Sequence, residues 1–212
     1  MSTQMRVTKR CAVCGEASEQ IILTSTNRFG APDLDLRPPE MMRSTMRWWI
    51  QKCPNCSYVS GDIENATSAR VKWMKAIELV LSDKMKFKSS LAEDFYKHYL
   101  ISHRDMRVKD AFYAILHAAW ACDDCLDGEN AVFCRKLAIE ELDRFVEPPR
   151  MNENLLIVRA DLLRRSGEFD RLIREYQSKS FSTDLLNAAI RFQLERARAC
   201  DSACYTFDSV EK

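Results

Sequence analysis

The sequence predicts a mainly α-helical protein with a small cysteine-rich β head at its N-terminus. Three observations predict it. Prolines and glycines crowd the first 61 residues and then almost vanish, with no proline between Asn55 and Glu147. Beyond Gly61, apolar residues recur at helical spacing. Two Cys-x-x-Cys pairs, Cys11/Cys14 and Cys53/Cys56, lie within the front segment. The boundary is therefore expected near Gly61, separating a head (1–61) from a helical part (62–212).

The elements follow in order. In the head, Ile21 to Thr26 and Arg47 to Gln51 are the strand candidates, by their β-branched and aromatic content. Val71, Met74, Ile77 and Leu81 mark a first helix. Ser90 followed by Glu93 makes a capping box that opens a second, running to about His103. Asp105 can cap a third that runs to Asp127, with Gly128 as its stop. Ala131, Cys134, Ala138, Leu142 and Phe145 line a fourth, ended by Pro148-Pro149. Leu155–Arg165, Phe169–Ser178 and Asp184 to about Cys200 complete the set. Short loops between successive amphipathic helices imply antiparallel neighbours. The segment Ala160 to Phe169 resembles the helix–turn–helix of a tetratricopeptide repeat, so an antiparallel tetratricopeptide-like array is expected, with an irregular bundle as the alternative.

Composition narrows the class. The chain has 212 residues, 46% hydrophobic and 30% charged, which suits a folded protein. No stretch reaches the roughly 20 apolar residues of a membrane span. The polar, basic lead from Met1 to Arg10 reads as no signal peptide, and nine cysteines without an export signal point to the reducing cytoplasm. Residues 1–110 hold 18 Lys/Arg against 13 Asp/Glu and residues 111–212 hold 14 against 18, giving +5 and −4. That asymmetry is too small for a nucleic-acid footprint.

The cysteines carry the chemistry. Two residues between two cysteines let the chain turn so that both thiolates face one ion, with Zn–S near about 2.3 Å. Gly15 after the first pair can take the left-handed conformation of such a knuckle, and Ser57 stands in the matching place after the second. Four thiolates from Cys11, Cys14, Cys53 and Cys56 make a zinc-ribbon-like site for one structural Zn²⁺ with no open position. An iron centre or a thiol–disulfide pair are the alternatives. The 38 residues between Cys14 and Cys53 exceed the usual spacing of about 15–20.

That insert carries Asp33, Asp35 and Arg37, which share one face of an extended chain, with Leu34 and Leu36 on the other. It is either a recognition loop or a strap packed on the helices. In a strand, Trp48 and Trp49 point to opposite faces, one into the ribbon core and one toward the helices or a partner. Cys122 and Cys125 repeat the Cys-x-x-Cys spelling inside a helix, where cysteine packs as a small apolar residue; with Cys134 and His117 they are a candidate second thiol or metal site. Cys200 and Cys204, four residues apart near the end, are expected to pack on a helix face, with labile thiols as the alternative. His98, His103 and His117 have no partner set for catalysis, and no phosphate loop, H-E-x-x-H or nucleophile elbow is present.

The double Cys-x-x-Cys, the Pro-Asp-Leu-Asp-x-Arg-Pro stretch from Pro32 to Pro38, the Cys-Pro-x-Cys-x-Tyr knuckle from Cys53 to Tyr58, and the turn from Leu163 to Gly167 together resemble an uncharacterised bacterial family, domain of unknown function 2225. The resemblance implies a zinc-ribbon-like head followed by tetratricopeptide-type helices, and no reaction. The expected function is a non-catalytic, zinc-binding adaptor for a protein or peptide partner, without a membrane role. Nucleic-acid binding by the head and thiol-based redox or metal sensing are the alternatives.

Overall fold

The first ten residues, read above only as a basic lead, form a strand. In the computed structural model, which describes residues 2–66, 86–145 and 152–210, strand β1 (Thr3–Arg10) pairs antiparallel with β2 (Ala17–Ser25). The register runs from Thr3 opposite Ser25 to Arg10 opposite Ala17. Val7 and Lys9 are half-buried between exposed neighbours, the period-2 pattern of a strand with one covered face. A second, two-residue pairing joins β3 (Gln51–Lys52) to β4 (Val59–Ser60). The strand expected over Arg47–Gln51 survives only at its last residue. A 3₁₀ helix occupies Arg43–Trp48 instead. Thr45 explains the change: its hydroxyl donates to the Met42 carbonyl at 2.7 Å and accepts from Trp49 Nε1 at 3.0 Å. Those local bonds tighten the chain into a turn in competition with a ladder. Trp48 and Trp49 therefore do not alternate across a strand.

The remainder is helical: α1 (Ser90–Arg104), α2 (Val108–Asp124), α3 (Gly128–Phe145), α4 (Glu153–Arg165), α5 (Phe169–Tyr176) and α6 (Asp184–Arg198). The fold is mainly α with a small N-terminal antiparallel sheet, as the composition shift at Gly61 predicts. The helix expected from Val71 to Leu81, and the Pro148-Pro149 stop, lie outside the described residues. Boundaries elsewhere move slightly. Ser89, one residue before the expected cap, accepts the Ala92 amide and opens α1. Asp105 closes α1 instead of opening α2, and Gly128 begins α3 instead of ending α2.

The last two shifts share one cause. Four helices end in the same closure, in which the residue after the cap adopts positive φ and two amides reach back to carbonyls of the last turn. Gly167 does this after α4, but Met106 (φ 56°), Leu126 (φ 57°) and Cys200 (φ 52°) do it after α1, α2 and α6. The paired bonds are the same each time, for example Leu126 N to Asp123 O at 3.1 Å and Asp127 N to Cys122 O at 2.9 Å. With no glycine to flag them, three of the four stops leave no mark in the sequence.

Each helix packs on the next, and α4 also meets α6. The buried face of α2 is alanine-rich: Ala111, Ala114, Ala118, Ala119 and Ala121 are all essentially covered. Small side chains there let α1 and α3 approach α2 closely. Among the described residues no helix is long and apolar enough to cross a membrane. After α6 the chain returns to the head. Leu34 N bonds Tyr205 O at 2.9 Å, Phe207 N bonds Pro32 O at 3.0 Å, and Asp33 bridges Thr206.

Candidate metal centre and the strap it anchors

The two Cys-x-x-Cys segments are superimposable in their local logic. The first fills the β1–β2 connection. Cys11 N bonds Glu16 O at 2.8 Å and Gly15 N bonds Cys11 O at 2.8 Å. The second fills the β3–β4 connection, with Cys53 N on Tyr58 O at 2.8 Å and Ser57 N on Cys53 O at 3.0 Å. Gly15 (φ 78°) and Ser57 (φ 58°) both sit in the left-handed region that the turn requires. Serine takes a conformation there that costs an L-residue about 1–2 kcal/mol.

This pairing brings four sulfurs together. Cys11 Sγ lies 3.7 Å from Cys56 Sγ, and Cys14 Sγ lies 3.6 Å from Cys53 Sγ. All four are within 4.8 Å of one another. Sulfurs placed tetrahedrally about 2.3 Å from an ion are separated by about 3.8 Å, so the cluster has the size of a four-thiolate metal site. It can hold one metal ion. Cys11 and Cys53 are buried, Cys56 is half-buried and Cys14 is at the surface. The backbone amide of Glu16, then the Asn55 side chain, hold the Cys14 thiol down to about 6, the thiolate-favouring direction. Burial pushes Cys11 and Cys56 the other way, although backbone amides oppose it (Tyr58 for Cys56). Amides aimed at sulfur are what stabilise a coordinated thiolate.

The two knuckles are tied together around the site. Ala12 N bonds Ile63 O at 2.9 Å, Ile63 N bonds Gln51 Oε1 at 3.2 Å, and Gln20 Nε2 bonds Lys52 O at 3.1 Å. Lys9 pairs with Asp62 at 2.6 Å. Lys52 reaches Asp94 on α1 at 2.7 Å and so links the head to the helices.

The insert between the knuckles is a strap. Leu36 has φ 63°, Leu36 N bonds Asp33 O at 2.8 Å, and Asp33 N bonds Arg37 O at 3.0 Å. This tight turn cancels the extended-chain alternation: Leu34 is fully buried while Leu36 is 42% exposed. Asp33, Asp35 and Arg37, a candidate recognition surface by sequence, are all buried and paired within the chain. Asp35 Oδ2 accepts from Trp120 Nε1 at 2.7 Å and lies 3.3 Å from Arg165. Arg37 clamps both oxygens of Asp124, at 2.6 and 2.7 Å. Asp33 pairs with Arg43 at 2.6 Å. Arg165 also binds Asp123 at 2.9 Å, and Arg135 meets the same carboxylate. Burial alone would raise Asp123, but Arg135 and Arg165 hold it below the usual carboxylate range.

No family model, no curated protein and no solved structure matches the chain.

The other candidates lie apart from the metal cluster. Cys122 and Cys134 are fully buried between α2 and α3, and Cys125 donates to the Cys122 carbonyl at 3.3 Å. The Cys122 sulfur, then burial, pushes the Cys134 thiol up, which favours the protonated form. Among the described residues, the only cluster of three or more metal-ligating side chains is the four-cysteine one. Trp48 is half-buried beside Arg47. Trp49 is half-buried with its ring edge-on to His117, centroids 5.1 Å apart. The residues that hold the strap, Trp120, Asp123, Asp124, Arg135 and Arg165, carried no sequence signal. Only the run of Asp123-Asp124 inside a helix, with arginines on later helix faces, could have hinted at buried pairing.

Proposed function

We propose that this protein is a non-catalytic zinc-binding adaptor for a protein partner. Its zinc fixes both ends of a strap that lies on a tetratricopeptide-like helical body. The observation that carries the reading is the closed four-sulfur cluster. Cysteine-only sites with four protein ligands suit Zn²⁺, and they leave no coordination position for water or substrate. The metal then acts as a staple for a head too small to hold itself together. Partner contacts are supported at either end of α2, where two large apolar side chains stand in water as separate points, Met106 (70% exposed) and Leu126 (85% exposed).

The test has two parts. Metal analysis of the purified chain should find one zinc per molecule, and Cys53→Ser should lose it; full zinc content in that variant overturns the assignment. Cross-linking in native extract should then yield a partner that captures this chain reciprocally. Leu126→Ser with Met106→Ser should weaken that capture while zinc content stays at one. Unchanged capture removes these residues as the partner surface.

A further inference from the structure

A cavity of about 470 Å³ lies where the strap crosses α2 and α4. That is the size of a small-molecule site, for which volumes run about 300–1,000 Å³. Its walls are unusually rich in rings: Trp49, Phe112, Tyr113, His117 and Trp120 all line it, opposite Pro32, Pro38 and Pro39 of the strap. His117 sits at the centre of this group, with ring centroids at 5.1 Å from Trp49, 5.2 Å from Phe95 and 5.0 Å from Trp120. Among the described residues its ring makes no hydrogen bond. Burial, then His98 and Arg37, hold it down to about 3, so it is a neutral imidazole at ordinary pH.

The charges at the cavity select the sign of the ligand. Asp35, its carboxylate, is already satisfied by Trp120 and Arg165. One face of Trp120 is covered by the Arg37 guanidinium, 5.9 Å from the ring centroid. That guanidinium is itself paired with Asp124, so it adds little net charge, but it occupies the ring face that an aromatic cage would offer a cation. Arg28 also lines the cavity, and among the described residues it has no carboxylate partner; its guanidinium touches only the Met42 sulfur, at 3.1 Å. Flat apolar walls, a neutral imidazole and one unpaired arginine fit a planar ring that carries an acid.

We propose that this cavity binds a small aromatic carboxylate, with its ring among Trp49, His117 and Trp120 and its carboxylate on Arg28. The inference stands apart from the adaptor reading, since it needs no protein partner.

Three probes with the same ring separate the possibilities: indole-3-acetate, neutral 3-methylindole and cationic tryptamine, each titrated calorimetrically into the metal-loaded chain. Indole-3-acetate should bind one per chain and tightest, tryptamine weakest. Arg28→Gln, at an exposed position, should weaken the acid by about tenfold or more, one charge-assisted hydrogen bond, and leave 3-methylindole unchanged. Leu155→Trp, which fills the cavity from α4, should abolish binding of all three, with circular dichroism confirming that the variant folds. No saturable binding of the acid by about 1 mM overturns the proposal. So does tighter binding of tryptamine, or acid binding that survives Leu155→Trp.

Discussion

Arg165 is the residue on which the strap's electrostatics converge. Its side chain is 7% exposed and faces Asp35 at 3.3 Å and Asp123 at 2.9 Å, with Asp161 adding to the same field. A buried carboxylate that loses its cation is left as an uncompensated charge, at a cost of about 3–5 kcal/mol. Arg165→Met keeps the length of the chain and removes the charge, so urea denaturation should show a loss of that order. Arg6, paired with Glu19 at 3.8 Å with both side chains largely in water, is the control. Arg6→Ala should change stability by less than about 0.5 kcal/mol. His117 makes a second prediction, with a definite sign. The folded chain refuses its proton until about pH 3, whereas the unfolded chain accepts it near 6.5. Between those values the unfolded state binds more protons, so stability falls as pH falls, by at most about 1.4 kcal/mol per unit from this group. Measured from pH 6.5 down to 5, His117→Gln should show a slope shallower by that amount. An equal slope in both proteins would mean that His117 is solvated. Asp35, by contrast, was visible in the sequence only as a member of an acidic face. Its partners Trp120 and Arg165 lie 85 and 130 positions away, and no local pattern encodes a contact at that separation.

The elements repeat one device. Four helix stops and both Cys-x-x-Cys turns end on a left-handed residue, and glycine fills only some of them. Gly15 and Gly167 adopt the conformation without strain, while Ser57, Met106 and Leu126 hold φ near +57°. Replacing the side chain by hydrogen removes the steric cost of about 1–2 kcal/mol and returns part of it as chain entropy. Leu126→Gly and Ser57→Gly should therefore each stabilise the protein by about 0.5–1 kcal/mol in chemical denaturation. The reverse change, Gly167→Ala, should destabilise by about 1 kcal/mol, although a Cβ there meets nothing within 4 Å. Space is not the issue; backbone conformation is. This is also why helix existence was readable and helix ends were not. Apolar periodicity is local and redundant over a dozen residues, whereas a stop made by Met106 or Leu126 has no compositional mark. The β1 strand escaped for a related reason: only Val7 and Lys9 are covered, so its alternation is too shallow to stand out against Arg6, Thr8 and Arg10.

At the scale of the whole molecule, two independent fastenings hold the strap. The four-cysteine cluster stands at its ends, and the grouping of these cysteines was legible because two residues between cysteines is a constraint written in adjacent positions. The middle is held by Arg37 on Asp124, by Asp35 on Trp120 and Arg165, and by the returning tail through Leu34 and Tyr205. Removing a metal bound there would therefore act on one fastening only. The β1–β2 hairpin buries only Gln20, and a hairpin of that kind is marginal in water without a further constraint. Head residues such as Leu34, Ile50 and Ile63 join the same buried cluster as Phe95, Ile115, Leu142 and Leu162, but the helices contribute most of it. Chelation, or Cys53→Ser, should thus abolish amide protection over 3–25 and 51–60. Protection should persist in α2, α3 and α4, and most of the far-ultraviolet helical signal should remain. Arg165→Met should do the converse: metal content stays at its wild-type value while the strap amides of 33–37 and the Trp120 indole NH exchange faster. Combined, the two changes should cost more than the sum of each alone, because each leaves the other as the strap's remaining anchor. Collapse of the helical signal on chelation would mean instead that head and body share a single cooperative core.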